Sequence, residues 1–417
     1  MTSWKKNLLI VWLSQFLGLS GFYFTMPFIP YYMQHLGVTD TSQVALWVAV
    51  YTIAGYVSLA VVSPVWGLVA DRYGRKAMLL RAHFCNAVII SLMSVAPSVS
   101  VLVLLRCLMG VFSGTSSASQ TLVASLTPKD NRGLALGLLS ASIFGGTLFG
   151  SFVGGIIVDA FGFPAAFLSC GVIFVISGML VLVGVKEDFR RPQPVPRDKP
   201  RSRRGRFLGI DLRPVRLAWL LLILSLVMAM ARRFDMPFLP LLVQDILGTT
   251  DKAATWTGTL SGFTAIAGVL AGPILGWLAD KFSAPRVAVL SALLAALCMI
   301  PHGLATALPT LFAARFMMIF FAGGLDPVFQ IWIAKSTPDR VRGVIFGWAL
   351  TARSIGYIVA AALGGALAGF VGLRWVYVGS CLLFLSLIPI IRFAASRQRR
   401  DRSSERSAAV RGAVPVS

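Results

Sequence analysis

The residues least likely to recur by chance return in this chain at one fixed spacing. Met26-Pro27-Phe28-Ile29-Pro30 comes back as Met236-Pro237-Phe238-Leu239-Pro240, an offset of 210 (236 minus 26). Thr127-Pro128 matches Thr337-Pro338 and Arg132-Gly133 matches Arg342-Gly343 in the same register. Gly137, Gly146, Gly154 and Gly155 recur as Gly347, Gly356, Gly364 and Gly365, while Arg106 and Arg315 correspond at 209. Self-similarity of this length means that the chain is two copies of one unit. Any fold proposed for it must be assembled from two homologous halves.

The unit is a set of apolar runs. Hydrophobic residues make up 57% of the 417 residues and charged residues 13%, about half the charged fraction of a soluble domain. A spanning helix needs roughly 20 mostly apolar residues. Runs of that kind lie at about 7–32, 44–66, 77–97, 99–122, 134–158, 164–184, 216–243, 254–277, 286–305, 307–330, 343–368 and 374–394. The expectation is therefore an all-α integral membrane protein with twelve transmembrane helices in two pseudo-symmetric six-helix bundles. Its divisions are an N-terminal bundle over 1–185, a basic linker over 186–215, a C-terminal bundle over 216–395, and a basic tail over 396–417 without regular structure.

The net charge of +22 orients such a chain. With the N-terminus cytoplasmic, only Lys252 and Arg374 face outward; Arg106, Arg232, Arg233, Arg315 and Arg353 fall within runs, and the other basic residues lie inside. That is the positive-inside pattern, and both termini are expected in the cytoplasm. Aromatic and polar interleaving, which a nucleic-acid face would need, is missing from the basic linker, so nucleic acid is not an expected partner. Cys85, Cys107, Cys170, Cys298 and Cys381 stand singly in apolar runs, indicating neither a disulfide framework nor a metal site. The first run lacks an A-x-A cleavage site and is too long for a signal peptide, so it is read as the first span.

Gly67-Leu68-Val69-Ala70-Asp71-Arg72-Tyr73-Gly74-Arg75-Lys76 closes the second run, and Gly276, Asp280 and Lys281 repeat part of it. The stretch closely resembles motif A of the major facilitator superfamily, G-x-x-x-D-R-x-G-R-[KR]. Arg106 followed by Gly110 is similar to motif B. Gly137, Gly146, Gly150, Ser151, Gly154 and Gly155 resemble motif C of the drug:proton antiporter branch, with Ser151 in place of its proline. The resemblance covers essentially the whole chain and implies the major facilitator fold. It also implies a gating latch at Asp71 with Arg72, Arg75 and Lys76, a weaker one at Asp280, and a part for Arg106 in proton coupling. Gly146, Gly150 and Gly154 are four apart, hence on one helix face, where packing alone would also account for them.

Of sixteen Asp and Glu, only Asp235 and Asp326 fall well within runs. A carboxylate at low dielectric is suited to carry a proton, which makes Asp326 the first candidate and Asp235 the second. Arg232 is three residues before Asp235 and can pair with it on one helix face; Arg353 can reach either acid. Gln15, Tyr23, Phe24, Thr25, Phe234, Phe238, Gln120, Gln330 and Arg353 are candidate cavity residues, the aromatics among them reading equally as packing. His35, His83 and His302 are expected in surface or interfacial positions, and Asp159 as a solvated carboxylate on the outer rim.

The reading that follows is proton-coupled efflux of amphiphilic small molecules by alternating access, in a bacterial inner membrane, by a monomer without cofactor or metal. Export of an endogenous metabolite, sugar or siderophore is the alternative. A non-transporting sensor would carry an appended folded domain. An enzyme is disfavoured: phosphate-binding glycine loops, G-x-S-x-G and H-E-x-x-H are all missing.

Overall fold

The computed structural model describes residues 3–128, 131–187, 218–325, 328–329, 332 and 339–412, and no strand occurs among them. The first half comprises α1 (Ser3–Tyr23), a 3₁₀ turn (Met26–Phe28), α2 (Ile29–His35), α3 (Thr41–Tyr73), α4 (Arg75–Met93), α5 (Val99–Phe112), α6 (Thr115–Leu126) and α7 (Arg132–Gly184). The second comprises α8 (Ala218–Arg233), a 3₁₀ turn (Met236–Phe238), α9 (Leu239–Leu247), α10 (Ala253–Lys281), α11 (Ala284–Gly303), α12 (Leu308–Gly323), α13 (Asp339–Phe370) and α14 (Trp375–Gly412). Eight stretches among the described residues are long and apolar enough to cross a membrane, and α5 and α12 are shorter apolar helices. The fifth and sixth runs are fused in α7, where Gly162 at φ 79° makes the turn and Pro164 restarts the helix.

Both copies of Met-Pro-Phe-x-Pro break their helix in the same way. A proline has no N–H to donate, so α1 and α8 stop before it, one 3₁₀ turn follows, and Phe28 and Phe238 donate their N–H to Thr25 and Asp235 respectively, each at 3.0 Å. The break leaves residues 23–25 and 233–235 at or beyond the end of regular helix, in the same place in each half.

Two stretches differ from expectation. The fourth run divides at Ser113–Gly114, where Gly114 is left-handed at φ 115°. The carbonyls freed there have donors waiting: Trp66 Nε1 reaches Val111 O at 2.7 Å, and Arg81 Nη2 reaches Ser113 O at 3.0 Å while its guanidinium lies 3.5 Å from the Trp66 ring centre. The tail after 396, expected to lack regular structure, continues α14 to Gly412. The linker lies outside the described residues beyond Glu187.

The halves meet along two helix pairs, α7 with α10 and α3 with α13. Each half keeps its own apolar core, one around Leu79, Leu122 and Leu139 and the other around Met299, Trp332 and Phe384, and a third cluster joins α3 and α5 to Phe234 and Phe238 across the boundary.

Candidate functional site

Asp235 lies at the break between α8 and its 3₁₀ turn, 1% exposed, and is ion-paired with Arg315 of α12, 4% exposed. The pair is not the Arg232–Asp235 contact that helical spacing allowed. Because the break takes residue 235 out of the helix, the i to i+3 geometry no longer holds, and the carboxylate turns inward to α12. Its second oxygen, Oδ1, has no hydrogen-bond partner. Beside the pair, His302 stacks on Tyr377 with ring centroids 4.8 Å apart, and both His302 nitrogens and the Tyr377 hydroxyl are also unpartnered. His302 is fully buried, contrary to the interfacial position expected for it, because it faces α14 rather than the outer surface. His83 is likewise buried, 3.1 Å from Ser14 Oγ.

The homologous arginine of the first half has no such acid among the described residues. Arg106 crosses Gly55, the residue of α3 whose missing side chain leaves it room. It lies 5.2 Å from the Tyr51 ring centre and 5.6 Å from that of Phe22, with Nη1 3.6 Å from Met109 Sδ. Its Nε is buried without a partner. Gly110, the glycine of motif B, brings α5 onto α3: a Cβ there would stand 2.6 Å from Gly55 O. A guanidinium cannot shed its charge, and placing one in a span costs at least about 2.5 kcal/mol; each aromatic face returns about 0.5–2 kcal/mol of that.

The glycine stripe of α7 serves two partners. Gly146, Gly150 and Gly154 lie against the backbone of α1 at Phe16, Ser20 and Phe24, and Gly356 and Gly364 repeat this against α8. Gly155 instead faces the other half, where a Cβ would stand 2.5 Å from Ala254 O, and its mate Gly365 faces Ala49. Ser151, buried, meets Gly258 of α10 through its carbonyl. Gly137 belongs to neither contact; a Cβ there would meet nothing within 4 Å.

The two ends of the same helix pairs differ. At Gly67, Gly137, Gly272, Gly276 and Gly347 an added Cβ would find open space to 4 Å, whereas Gly155, Gly258, Gly365 and Gly369 touch the opposite half. The joined ends are also tied by hydrogen bonds. Tyr31 Oη donates to Pro240 O at 2.6 Å and lies 2.8 Å from Thr257 Oγ1. Gln34 and Gln244, repeat mates at 210, exchange amide hydrogen bonds of 2.8 and 3.0 Å, which places the pseudo-twofold axis between them. Asp159, exposed as expected, is not merely solvated: it accepts the Thr255 N–H at 2.7 Å and caps α10 from the other half. The helix pairs are thus joined at the ends that carry Gly155, Gly258, Gly365 and Gly369, while the glycines toward their other ends have no close neighbour. Gln34, Gln244 and Tyr31 escape a reading of the sequence for charges and motifs; identical polar mates in apolar surroundings are the signal that could have found the glutamines.

At the turn between α3 and α4, Gly74 (φ 93°) ends α3, and the N–H groups of Arg75 and Lys76 bind the Glu187 carboxylate at 3.1 and 2.8 Å. Lys76 Nζ donates in turn to Leu182 O and Val185 O at 2.8 and 2.6 Å, at the end of α7. Asn7 closes the corner through both its amide atoms to Lys186. Glu187, expected at the start of the linker, is a helix N-terminal anion. Arg72 lies 5.5 Å from the Tyr73 ring centre and is exposed. The side chains of Asp71 and Asp280, and Asp326 and Gln330 altogether, lie outside the described residues.

Most of the candidate cavity residues are core. Phe24 and Phe234 are 4% exposed and Phe238 fully buried, the last two packed on Gly379 and Gly364. Thr25 is buried and bonded to Phe22 O, and Gln15 ties α1 to Ser116 of α6 at 2.9 Å. Helical spacing could not tell which aromatic face turned inward. Gln120 is exposed on α6. Tyr23 and Arg353 are not core, and Arg232, Arg233, Tyr56 and Tyr357 share their intermediate burial. The Tyr56 and Tyr357 rings are 5.5 Å apart, and Arg233 lies 5.5 Å over the Tyr357 ring. All six are half-buried.

The family model for the Major Facilitator Superfamily matches residues 11–248 and 221–416. The chain belongs to the Major Facilitator Superfamily. It is 31% identical over 401 residues to a multidrug resistance protein MdtG of Dickeya zeae, covering 96% of both chains. It is also 29% identical over 400 residues to that of Escherichia fergusonii, again covering 96% of both. Among solved structures, a bacterial homologue of the human lysosomal transporter Spinster, inward-facing and unoccupied, matches with a TM-score of 0.77 at 14% identity, covering 96% of this chain and 98% of that one. The POT family transporter PepTSo matches at 0.75 and 12% identity, covering 94% and 98%. This superfamily membership fits an all-helical chain of two repeated halves.

Proposed function

We infer that the chain is a multidrug exporter of the bacterial inner membrane, working as a monomer with both termini in the cytoplasm. It carries amphiphilic small molecules outward in exchange for protons and performs no covalent chemistry. The observation that supports this best is the difference between the two ends of the same helix pairs, joined at Gly155, Gly365 and Gln34 and with open space beside Gly137, Gly67 and Gly347. A carrier whose halves rock about a midplane site passes through such a state, and the MdtG relatives are multidrug resistance proteins by name.

Coupling requires that protonation and cargo favour different orientations. Asp326 and Asp235 are the titrating groups in this reading, with Arg106 as the fixed charge of the first half. Protonation of Asp235 would weaken its attachment to Arg315 and, with Oδ1 already unpartnered, free the break of α8 to move. The latch of Asp71, Arg72 and Asp280 acts in the opposite, outward-facing state.

The test is efflux in inverted membrane vesicles under an imposed pH gradient, with Asp235→Asn and Asp326→Asn. Each substitution is expected to abolish pH-driven transport while leaving expression intact. Undiminished transport in either variant would remove that carboxylate from the mechanism.

A further inference from the structure

Four buried polar atoms gathered in the second half have no hydrogen-bond partner: Asp235 Oδ1, both ring nitrogens of His302 and the Tyr377 hydroxyl. They come from three separate elements, the break after α8, α11 and α14, and share one neighbourhood. His302 and Tyr377 stack with ring centroids 4.8 Å apart. Asp235 and Arg315 are within electrostatic reach of Tyr377, and Arg315 is within reach of His302. The start of α14 sets these groups in a row. Arg374, just before the helix, donates to Asp245 at 2.9 Å and to the Gly303 and Ala305 carbonyls at 3.1 and 3.2 Å. Three residues on, Tyr377 packs over Gly303, where a Cβ would stand 3.1 Å from its own. Next along the helix, Gly379 lies against Phe234 and Ser380 Oγ donates to Ala231 O, both beside the break that carries Asp235.

Buried polar groups are nearly always paired with protein or with ordered water, and a site lined by several of them is the kind that holds water. The scaffold does not demand polar side chains here. In the first half the places of His302 and Tyr377 belong to Met93 (302 minus 93 is 209) and Phe167 (377 minus 167 is 210), both buried in apolar core. The polar pair therefore stands in the half that has the acid. Neutral imidazole takes a proton on one nitrogen and releases one from the other, and a tyrosine hydroxyl accepts and donates at once. The row also leads to solvent. Arg374 and Asp245 are nearly half exposed. Arg374 lines a cavity of about 820 Å³ with Gln244, Asp245, Thr249 and Thr250, and a second of about 260 Å³ with Gly303 and Tyr377.

We propose that His302 and Tyr377, with water bonded between them, form the proton route to Asp235, and that Arg374 guards its mouth. Each hop moves one proton along a hydrogen bond and leaves His302 and Tyr377 neutral, so the net change is one proton gained at Asp235. Arg374 cannot give up its own proton; it is a barrier of like charge to an incoming proton, not a carrier. The other titratable and charged groups around the row are Arg315, Tyr31 of the first half, whose hydroxyl is bonded to Pro240 O, and Cys381 of α14, whose Sγ lies 3.3 Å from Ala296 O. The route lies within the second half, whereas cargo, in the reading above, passes between the halves. The proposal rests on the coupling role given to Asp235 and adds the path by which that acid is loaded.

The test needs no cargo. The full chain in lipid nanodiscs is given a stopped-flow drop in pH, with pyranine in the bulk reporting proton uptake, and the part of the uptake lost in Asp235→Asn belongs to Asp235. His302→Gln and Tyr377→Phe should each slow that part roughly tenfold or more and leave its extent unchanged. Arg374→Gln should act in the opposite direction and quicken it, a result that damage to the fold would not give. Unchanged rates in both His302→Gln and Tyr377→Phe would overturn the route, as would a loss of extent without a change of rate, which would make the two residues supports for Asp235 only. If Asp235→Asn removes no uptake from the wild type, the coupling role of Asp235 fails and the route falls with it.

Discussion

Arg106 and Arg315 descend from one ancestral position and now live in different electrostatic worlds. Arg315 is neutralised by Asp235 at the break of α8. At the corresponding break of α1 the residue is Thr25, which bonds its own backbone, and Arg106 rests against Tyr51 and Phe22 instead. The backbone breaks are alike, the glycines beneath them are alike, and one acid makes the difference. The duplication has kept the scaffold symmetrical while confining the ion pair to one half, so that a proton entering the molecule at this depth meets an acid only on the second side of the described structure.

This contrast is best broken at Arg315. Arg315→Ala strands a buried carboxylate, an effect of about 3–5 kcal/mol, and should lower the midpoint of thermal unfolding in detergent markedly. Arg106→Leu removes aromatic contacts of about 0.5–2 kcal/mol and relieves a buried charge at the same time, so its net effect should stay within about 1 kcal/mol. Equal losses in the two variants would erase the distinction between the halves. Thr25→Asp sharpens it: if only the acid is missing, the new carboxylate should be better tolerated with Arg106 present than in the Arg106→Leu background. A double-mutant cycle should return a favourable coupling of about 0.5–3 kcal/mol. The smallest effect belongs to the place where the halves remain equal. Gln34→Ala and Gln244→Ala each remove one side of the same amide pair, worth about 1 kcal/mol. Both should loosen outer closure alike, as read by alkylation of a cysteine placed at Val38.

Much of this is legible in the sequence. Twelve apolar runs, the duplication and the proline breaks follow from residue types at fixed spacings, and local chemistry decides them. What is not legible is partner choice. Asp235 has an arginine three residues away and takes another eighty residues on (315 minus 235), because the proline break turns it out of the helix. Phe24, Phe234 and Phe238 sit at the same break yet face the core, a matter of rotation that spacing leaves undetermined. Glu187 falls near the start of the expected polar linker, and only the arrival of α4 beside α7 makes it a cap. Gly272 and Gly276 continue the small-residue strip of α10, yet it is Gly258 and Gly262 that approach α7; which end of a helix pair is in contact depends on the orientation of the halves.

That orientation is the centre of the account, and pulsed electron resonance can measure it. Spin labels at Val38 and Thr249 report the outer ends and labels at Tyr73 and Phe282 the inner ends, in a chain whose native cysteines have been replaced. At a pH that holds the resting state, the outer distance should be short and the inner one long. A change of pH should then lengthen the first as the second shortens. Two distances that stay fixed, or that grow and shrink together, would contradict rocking of two halves about a shared midplane site.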